Sequence, residues 1–324
     1  MKPEQKSLRV GAAVIALACV LRFFGGGAVN DITALMTDPT VSSILLYAGT
    51  GRVYPVKTQE AEPETETQPS VRTPEPAELS QEDAVLVSVT NHPGYGVDIP
   101  AMLEQPLQWD LTGEDPTVLI FHSHTCESYE NTEGYEPSAE YRTTDPRYNM
   151  ISIGQQLAQC LEERGIHVLH DTTLHDYPSY TAAYDLSRET VQGYLEQYPS
   201  IRLVLDIHRD AYEDAGGNQL SNVVSINGQQ SSRLMLVAGT DGYGEGHTNW
   251  QENLSVAVKL QAVLEKQYPG LCRDLSIRSS AFNQDLSSGA LLIEVGTAGD
   301  TRRQALAAAT FLADGIARLA HGTS

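Results

Sequence analysis

Two rhythms of apolar and polar residues run along the chain and set out a folded domain in its later part. Unbroken or nearly unbroken apolar runs at 118–121 (VLIF), 201–207 (IRLVLDI) and 290–295 (ALLIEV) are too short for helices and do not alternate. They predict strands buried on both faces, as in a parallel sheet. A further strand is expected at 166–169. Met150, Ile153, Leu157 and Leu161 follow helical spacing, and Arg164 and Gly165 close that helix. Other helices are expected over 185–198, stopped by Pro199, from Trp250 to Leu264 behind an Asn249/Glu252 capping box, and from Ala305 to Leu319. Residues 222–227 and 233–239 read as a hairpin about Gly228. Strands alternating with helices predict the α/β class: a mainly parallel, twisted sheet flanked by helices on both sides, within residues 84–324.

Ahead of that domain the pattern changes twice. Lys2, Lys6 and Arg9 precede an apolar stretch over 10–29 interrupted by Arg22, the pattern of a membrane signal-anchor over residues 1–30. Residues 31–83 form an extracytoplasmic segment, of which 55–83 is rich in Glu, Thr, Pro and Gln and too polar to build a core. This stretch reads as a linker. Acidic residues outnumber basic ones 42 to 21 in a chain of 324, and the net charge of -21 argues against a nucleic-acid partner. Cys19, Cys126, Cys160 and Cys272 include no CxxC pair, so neither a disulfide framework nor a thiolate zinc finger is expected.

Candidate chemistry collects where the strands stop. The first ends in His122-Ser-His124, the second in His208-Arg209-Asp210, and the third carries Glu294. As parallel neighbours these strands bring their C-terminal ends to one edge. His122, His124 and Glu127 are the residue types of a zinc site. A zinc hydrolase needs three protein ligands, an open position and a carboxylate base that is not itself a ligand. Two histidines from different strands, a glutamate from the first loop, and Glu294 as base complete that set. Asp206 either orients a histidine or pairs with Arg209. His92, His167, His170, His175 and His321 read as hydrogen-bonded surface residues. Cys126 has no dedicated base and reads as incidental.

HSHTCESY (122–129), DIHRDA (206–211), GTDGYGEGHTNWQENL (239–254) and NQDLSSGALLIEVG (283–296) resemble, in this order, the stage II sporulation protein P family of endospore-forming bacteria. The resemblance implies an amidase-like single catalytic domain: a zinc-dependent peptidoglycan hydrolase related to the N-acetylmuramoyl-L-alanine amidases. The implied activity cleaves the amide between stem peptide and glycan, with endopeptidase activity on cross-links, during forespore engulfment. Implied partners are peptidoglycan, the membrane through the N-terminal anchor, and stage II sporulation proteins D and M, in the space between the mother-cell and forespore membranes. The implied cofactor is Zn2+ on two histidines and a glutamate, with His208 as one ligand and Glu294 as base. The first-strand ligand is His122 or His124, a loop that turns back favouring His124. The carboxylate is Glu127 or Glu140, and the longer spacing of the related amidases matches Glu140 better.

By the same resemblance Arg209 clamps a peptide carboxylate or stabilises the oxyanion, unless it pairs with Asp206 or Asp210. Asn283 and Asp285 contact the substrate or brace their loop, and His247 contacts it or sits beside a helix cap. Residues 296–300 lack the asparagine that the family pattern leads one to expect. A metal-dependent wall-sugar deacetylase and a catalytically inactive peptidoglycan-binding module are the competing functions.

Overall fold

The computed structural model describes residues 74–130, 135–138, 140–244 and 246–323. The expected anchor over 1–30 and most of the segment over 31–83 lie outside the described residues. Among those described, no helix is long and apolar enough to cross a membrane.

In chain order the elements are β1 (Val89–Asn91), α1 (Ile99–Glu104), β2 (Val118–Phe121), α2 (Met150–Glu162), β3 (Val168–His170), α3 (Ala183–Gln197), β4 (Leu203–Asp210), β5 (Val223–Ile226), β6 (Gln229–Ser232), β7 (Leu234–Gly239), α4 (Trp250–Gln267), β8 (Leu275–Arg278), β9 (Ala290–Thr297) and α5 (Arg302–Arg318). One sheet runs in the order β1-β8-β7-β9-β4-β2-β3. Every pairing in it is parallel except that of β7 with β9. The expected α/β fold with a mainly parallel sheet is therefore present, and it consists of two parallel halves that meet head to tail between β7 and β9.

The two-sided burial of the strands follows from alternation. Leu203, Leu205 and Ile207 of β4, Leu291, Ile293 and Val295 of β9, and Leu234, Leu236 and Ala238 of β7 face one core. Helices α2, α4 and α5 cover that core with Ile153, Leu157, Leu260, Leu264, Leu312 and Ile316. On the opposite face Val204 and Ala290 pack with Leu119, Phe121 and Val191 of α3. Farther across that face Met235, Val237 and Leu292 form only a small apolar cluster. Helices thus lie on both sides, but on the second side they cover only half the sheet, and the half without a helix, still buried, frames a cavity.

Three local expectations change. The folded domain begins before residue 84: Ala77, Leu79 and Ala84 pack on the core, the Ala77 amide donates to the Arg318 carbonyl at 2.8 Å, and Lys266 Nζ meets Asp83 Oδ1 at 2.9 Å. The hairpin joins β5 to β6, because Asn227 (φ 51) and Gly228 (φ 82) make a two-residue turn with both residues left-handed. That frees 234–239, apolar on both faces, to enter the main sheet. The capping box of α4 is not formed; Asn249 Nδ2 donates instead to the Gln284 carbonyl at 3.4 Å.

Gly154 of α2 lies over two histidines, and a Cβ placed there would come within 2.4 Å of His170 Nε2 and 2.7 Å of His122 Nε2. Gly154→Ala is expected to destabilise the fold by about 1–3 kcal/mol through overpacking. That loss outweighs the gain in helix propensity of about 1 kcal/mol. Urea unfolding monitored by circular dichroism measures it; a more stable variant would contradict the packing described.

Candidate metal centre

The site is assembled by sheet register. β4 and β9 are neighbours, His208 stands opposite Glu294, and Glu294 stands opposite Met235 of β7. The loop after β2 turns back over this corner, closed by a hydrogen bond from the Glu127 amide to the His124 carbonyl at 3.2 Å. His124, Glu127 and His208 each offer a ligand atom, all within 4.8 Å of one another. His124 Nδ1 lies 3.7 Å from Glu127 Oε1, and His208 Nδ1 lies 3.6 Å from Oε2.

The second nitrogen of His208 is held from behind. Its Nε2 is 2.8 Å from Asp206 Oδ1 and 2.9 Å from Ser123 Oγ, while the Ser123 hydroxyl and amide donate to Asp206 at 2.6 and 2.8 Å. Asp206 and His208 sit two apart on one strand and so share a face, which lets the carboxylate fix the imidazole. Tyr180 stacks on His124 with ring centres 4.5 Å apart, and Tyr184 meets it edge-on at 5.3 Å. His124, Glu127, His208, Tyr180, Tyr184 and Glu294 line a cavity of about 700 Å³.

Burial disfavours a charged His208, yet Asp206, Glu127 and Glu294 overcome it and hold the imidazole pKa up to about 10. Burial pushes Glu294 up to about 8 against the pull of His208, and its buried Oε2 has no hydrogen-bond partner. Burial and then His208 lower the pKa of His124. Asp206, Glu127 and Glu294 thus converge on the one imidazole. Two imidazoles and one carboxylate are a donor set suited to a catalytic zinc ion, so the residues present fit one. Among the described residues this is the one such cluster.

Several expected site residues lie elsewhere. His122 does not join the group: alternation puts it on the face of Val118 and Ile120, where Nδ1 is 2.8 Å from the Ile207 carbonyl and Nε2 is 3.0 Å from His170 Nε2. Burial there, and then His170, push His122 down to about 3. The carboxylate of the cluster is Glu127, because a bridge to Arg142 and the turn to His124 fold it inward; Glu140 stays exposed on the cavity wall.

Arg209 is not free to clamp a ligand as expected. Its Nε donates to the Ser128 carbonyl at 3.1 Å, Nη2 to those of Tyr141 and Glu140 at 3.1 and 3.4 Å, and Nη1 lies 3.6 Å from Glu127 Oε1. The guanidinium therefore ties down the loop that carries Glu127. Neither aspartate takes it, since Asp210 is paired with Arg273 at 2.6 Å.

Asn283 and Asp285 brace their loop rather than face the candidate centre. Asp285 takes both arms of Arg188 at 2.9 and 2.5 Å, and Asn283 Nδ2 donates to the Tyr184 carbonyl at 2.8 Å. His247 is fully buried, 3.2 Å from Asn253, which removes it from substrate. His175 is not at the surface either, contacting the His122 carbonyl at 2.8 Å and Thr190 at 3.0 Å, and His170 is half-buried and pairs with His122. Burial and Asp176 push the Cys126 thiol up to about 12, leaving it inert. Sequence reading missed Ser123, Tyr180 and Tyr184, although an HSH triplet and two tyrosines at i, i+4 were there to be seen.

These features define an α/β protein with a candidate catalytic metal centre at the C-terminal ends of β2, β4 and β9. The chain belongs to the stage II sporulation protein P family, which matches residues 36–317. Stage II sporulation protein P of Bacillus subtilis (strain 168) is 30% identical over 222 residues, 63% of this chain and 51% of the relative, so the chain spans about half the length of that curated relative. Among solved structures, the N-acetylmuramoyl-L-alanine amidase from Clostridium difficile 630 aligns with TM-score 0.37 and 18% identity over 63% of this chain and 94% of that one. The N-acetylmuramoyl-L-alanine amidase AmiC2 of Nostoc punctiforme aligns with TM-score 0.34 and 14% identity over 64% and 97%.

Proposed function

We propose that the protein is a zinc-dependent peptidoglycan hydrolase of sporulation. It cuts the amide between glycan and stem peptide and acts as an endopeptidase on cross-links. The observation that carries this reading is the register pair of His208 with Glu294 beside the His124–Glu127 loop. His124, Glu127 and His208 are the residues that hold the ion. When bound, zinc supplies a Lewis acid and lowers the pKa of water toward neutrality.

Every other element of the chemistry belongs to the chain. Glu294 carries the proton at Oε2, taking it from the attacking water and delivering it to the leaving amine. Asp206 keeps a proton on His208 Nε2, which leaves Nδ1, on the side of Glu127 and His124, as the nitrogen that would hold the ion once its own proton is lost. Tyr180 and Tyr184 hold the plane of the His124 ring by stacking and edge contact. An anchor over residues 1–30 would hold this domain at the outer face of a membrane, where engulfment proteins resembling stage II sporulation proteins D and M are its partners.

Incubating the purified protein with peptidoglycan and identifying the new termini tests the reading. Fresh L-alanine amino termini support the amidase, release of acetate would point to the deacetylase, and intact wall to a binding module. Asp206→Asn is expected to weaken zinc binding about 10- to 100-fold with the fold retained, because the His208 tautomer is no longer enforced. Competition with a fluorescent chelator measures this, and unchanged affinity would remove Asp206 from its positioning role.

A further inference from the structure

The cavity does not end at the metal centre. Register leads from Glu294 through Met235 to β8, where Ser276 pairs with Val237 and Arg278 with Gly239. Met235, Val237 and Leu292 make an apolar floor, with Phe282 packed against it. Met235 and Arg278 line both this cavity and a second one of about 360 Å³, so the two adjoin. Arg233, Arg273 and Arg278 all line the second cavity, a gathering of cations in a chain of net charge -21.

Two of these arginines are already engaged. Arg273 pairs with Asp210 at 2.6 Å and lies over the Tyr212 ring, and Arg233 donates to the Gly270 and Cys272 carbonyls at 2.8 and 2.6 Å. The carboxylate that lines the cavity, Asp274, accepts from Thr90 at 3.1 Å. Arg278 is exposed, uses only Nε toward Ser276 Oγ at 2.7 Å, and has no carboxylate at ion-pair distance among the described residues. Its remaining guanidinium donors form a planar fork of the kind that grips a carboxylate bidentately.

We infer that Arg278 is an anion subsite that selects peptides bearing a free carboxylate, bound across the Met235–Leu292 floor with the reacting amide at the candidate metal centre. Two strand spacings, about 10 Å, separate β9 from β8, the span of a few peptide residues. The inference rests on the hydrolase reading for the identity of the peptide as a stem peptide; the charge selectivity itself is a property of binding.

The test is calorimetric titration of the full chain with a stem peptide carrying free carboxylates and with the same peptide fully amidated. Wild type is expected to bind the free acid at least tenfold more tightly. Arg278→Gln should bind both peptides as wild type binds the amidated one, and Arg278→Lys should keep part of the preference. Retained binding of the amidated peptide shows that the variant is folded. Equal affinities in wild type, no binding of either peptide, or a preference that survives in Arg278→Gln overturns the subsite. A parallel cleavage assay separates the two readings: no new termini with charge-selective binding intact refutes the hydrolase alone, whereas cleavage with an unaltered preference in Arg278→Gln refutes the subsite alone. Where cleavage occurs, the variant should raise KM about tenfold for the free acid and leave kcat unchanged.

Discussion

Glu294→Gln yields a folded protein that releases stem peptide about 100- to 10,000-fold more slowly than wild type, the range expected when a general base is lost. The substitution is close to isosteric, so the Met235 and His208 neighbours remain in place. An amide oxygen cannot take up and pass on a proton at the position of Oε2. The fold should not suffer, because Oε2 has no hydrogen-bond partner to lose and burial already disfavours its charge. Rates come from chromatography of released muropeptides, and melting temperature checks the fold. Wild-type turnover in a folded variant would dismiss Glu294 as the base.

Removing the proposed ligands is expected to be as damaging and has a readout independent of turnover. A ligand that binds only the folded state raises its stability. Zinc added to chelator-treated wild type should therefore raise the melting temperature and restore activity from background. His208→Ala should show neither response and should hold almost no zinc after dialysis. Because that variant leaves the buried Asp206 without its imidazole partner, at a cost of about 3–5 kcal/mol, Glu127→Gln provides the second case. It keeps the loop and its shape while removing the charged donor. A zinc-dependent rise in melting temperature that persists in both variants would place the metal elsewhere.

The strands that build the site were legible because they are buried on both faces. Polar residues inside such runs, Asp206, His208 and Glu294, stood out as needing a reason to be there. The choice between His122 and His124 was not legible in the same way. It depends on where β2 stops, since positions two apart share a face along a strand and only a loop that turns back carries His124 to the other side. Glu127 over Glu140 was decided by contacts from residues far away in sequence, the Arg142 bridge and the Arg209 guanidinium, which no local pattern reveals. Arg209 misled for the same reason: a cation beside a ligand histidine reads as functional, while the carbonyls of 128, 140 and 141 that occupy it appear only in three dimensions. The Asn227-Gly228 turn was present as a strong hairpin signal, but its second arm is 229–232 and not the more apolar 233–239.

The last strand of the chain sits in the middle of the sheet. Until β9 has been synthesised and inserted, β4 and β7 present bare edges to each other, and Glu294 is missing from the row it completes. Such late, long-range pairing slows folding. On the proposed reading it also acts as a safeguard: a nascent or prematurely terminated chain lacks the residue needed to attack the wall, so a cell is not exposed to a half-made lytic enzyme.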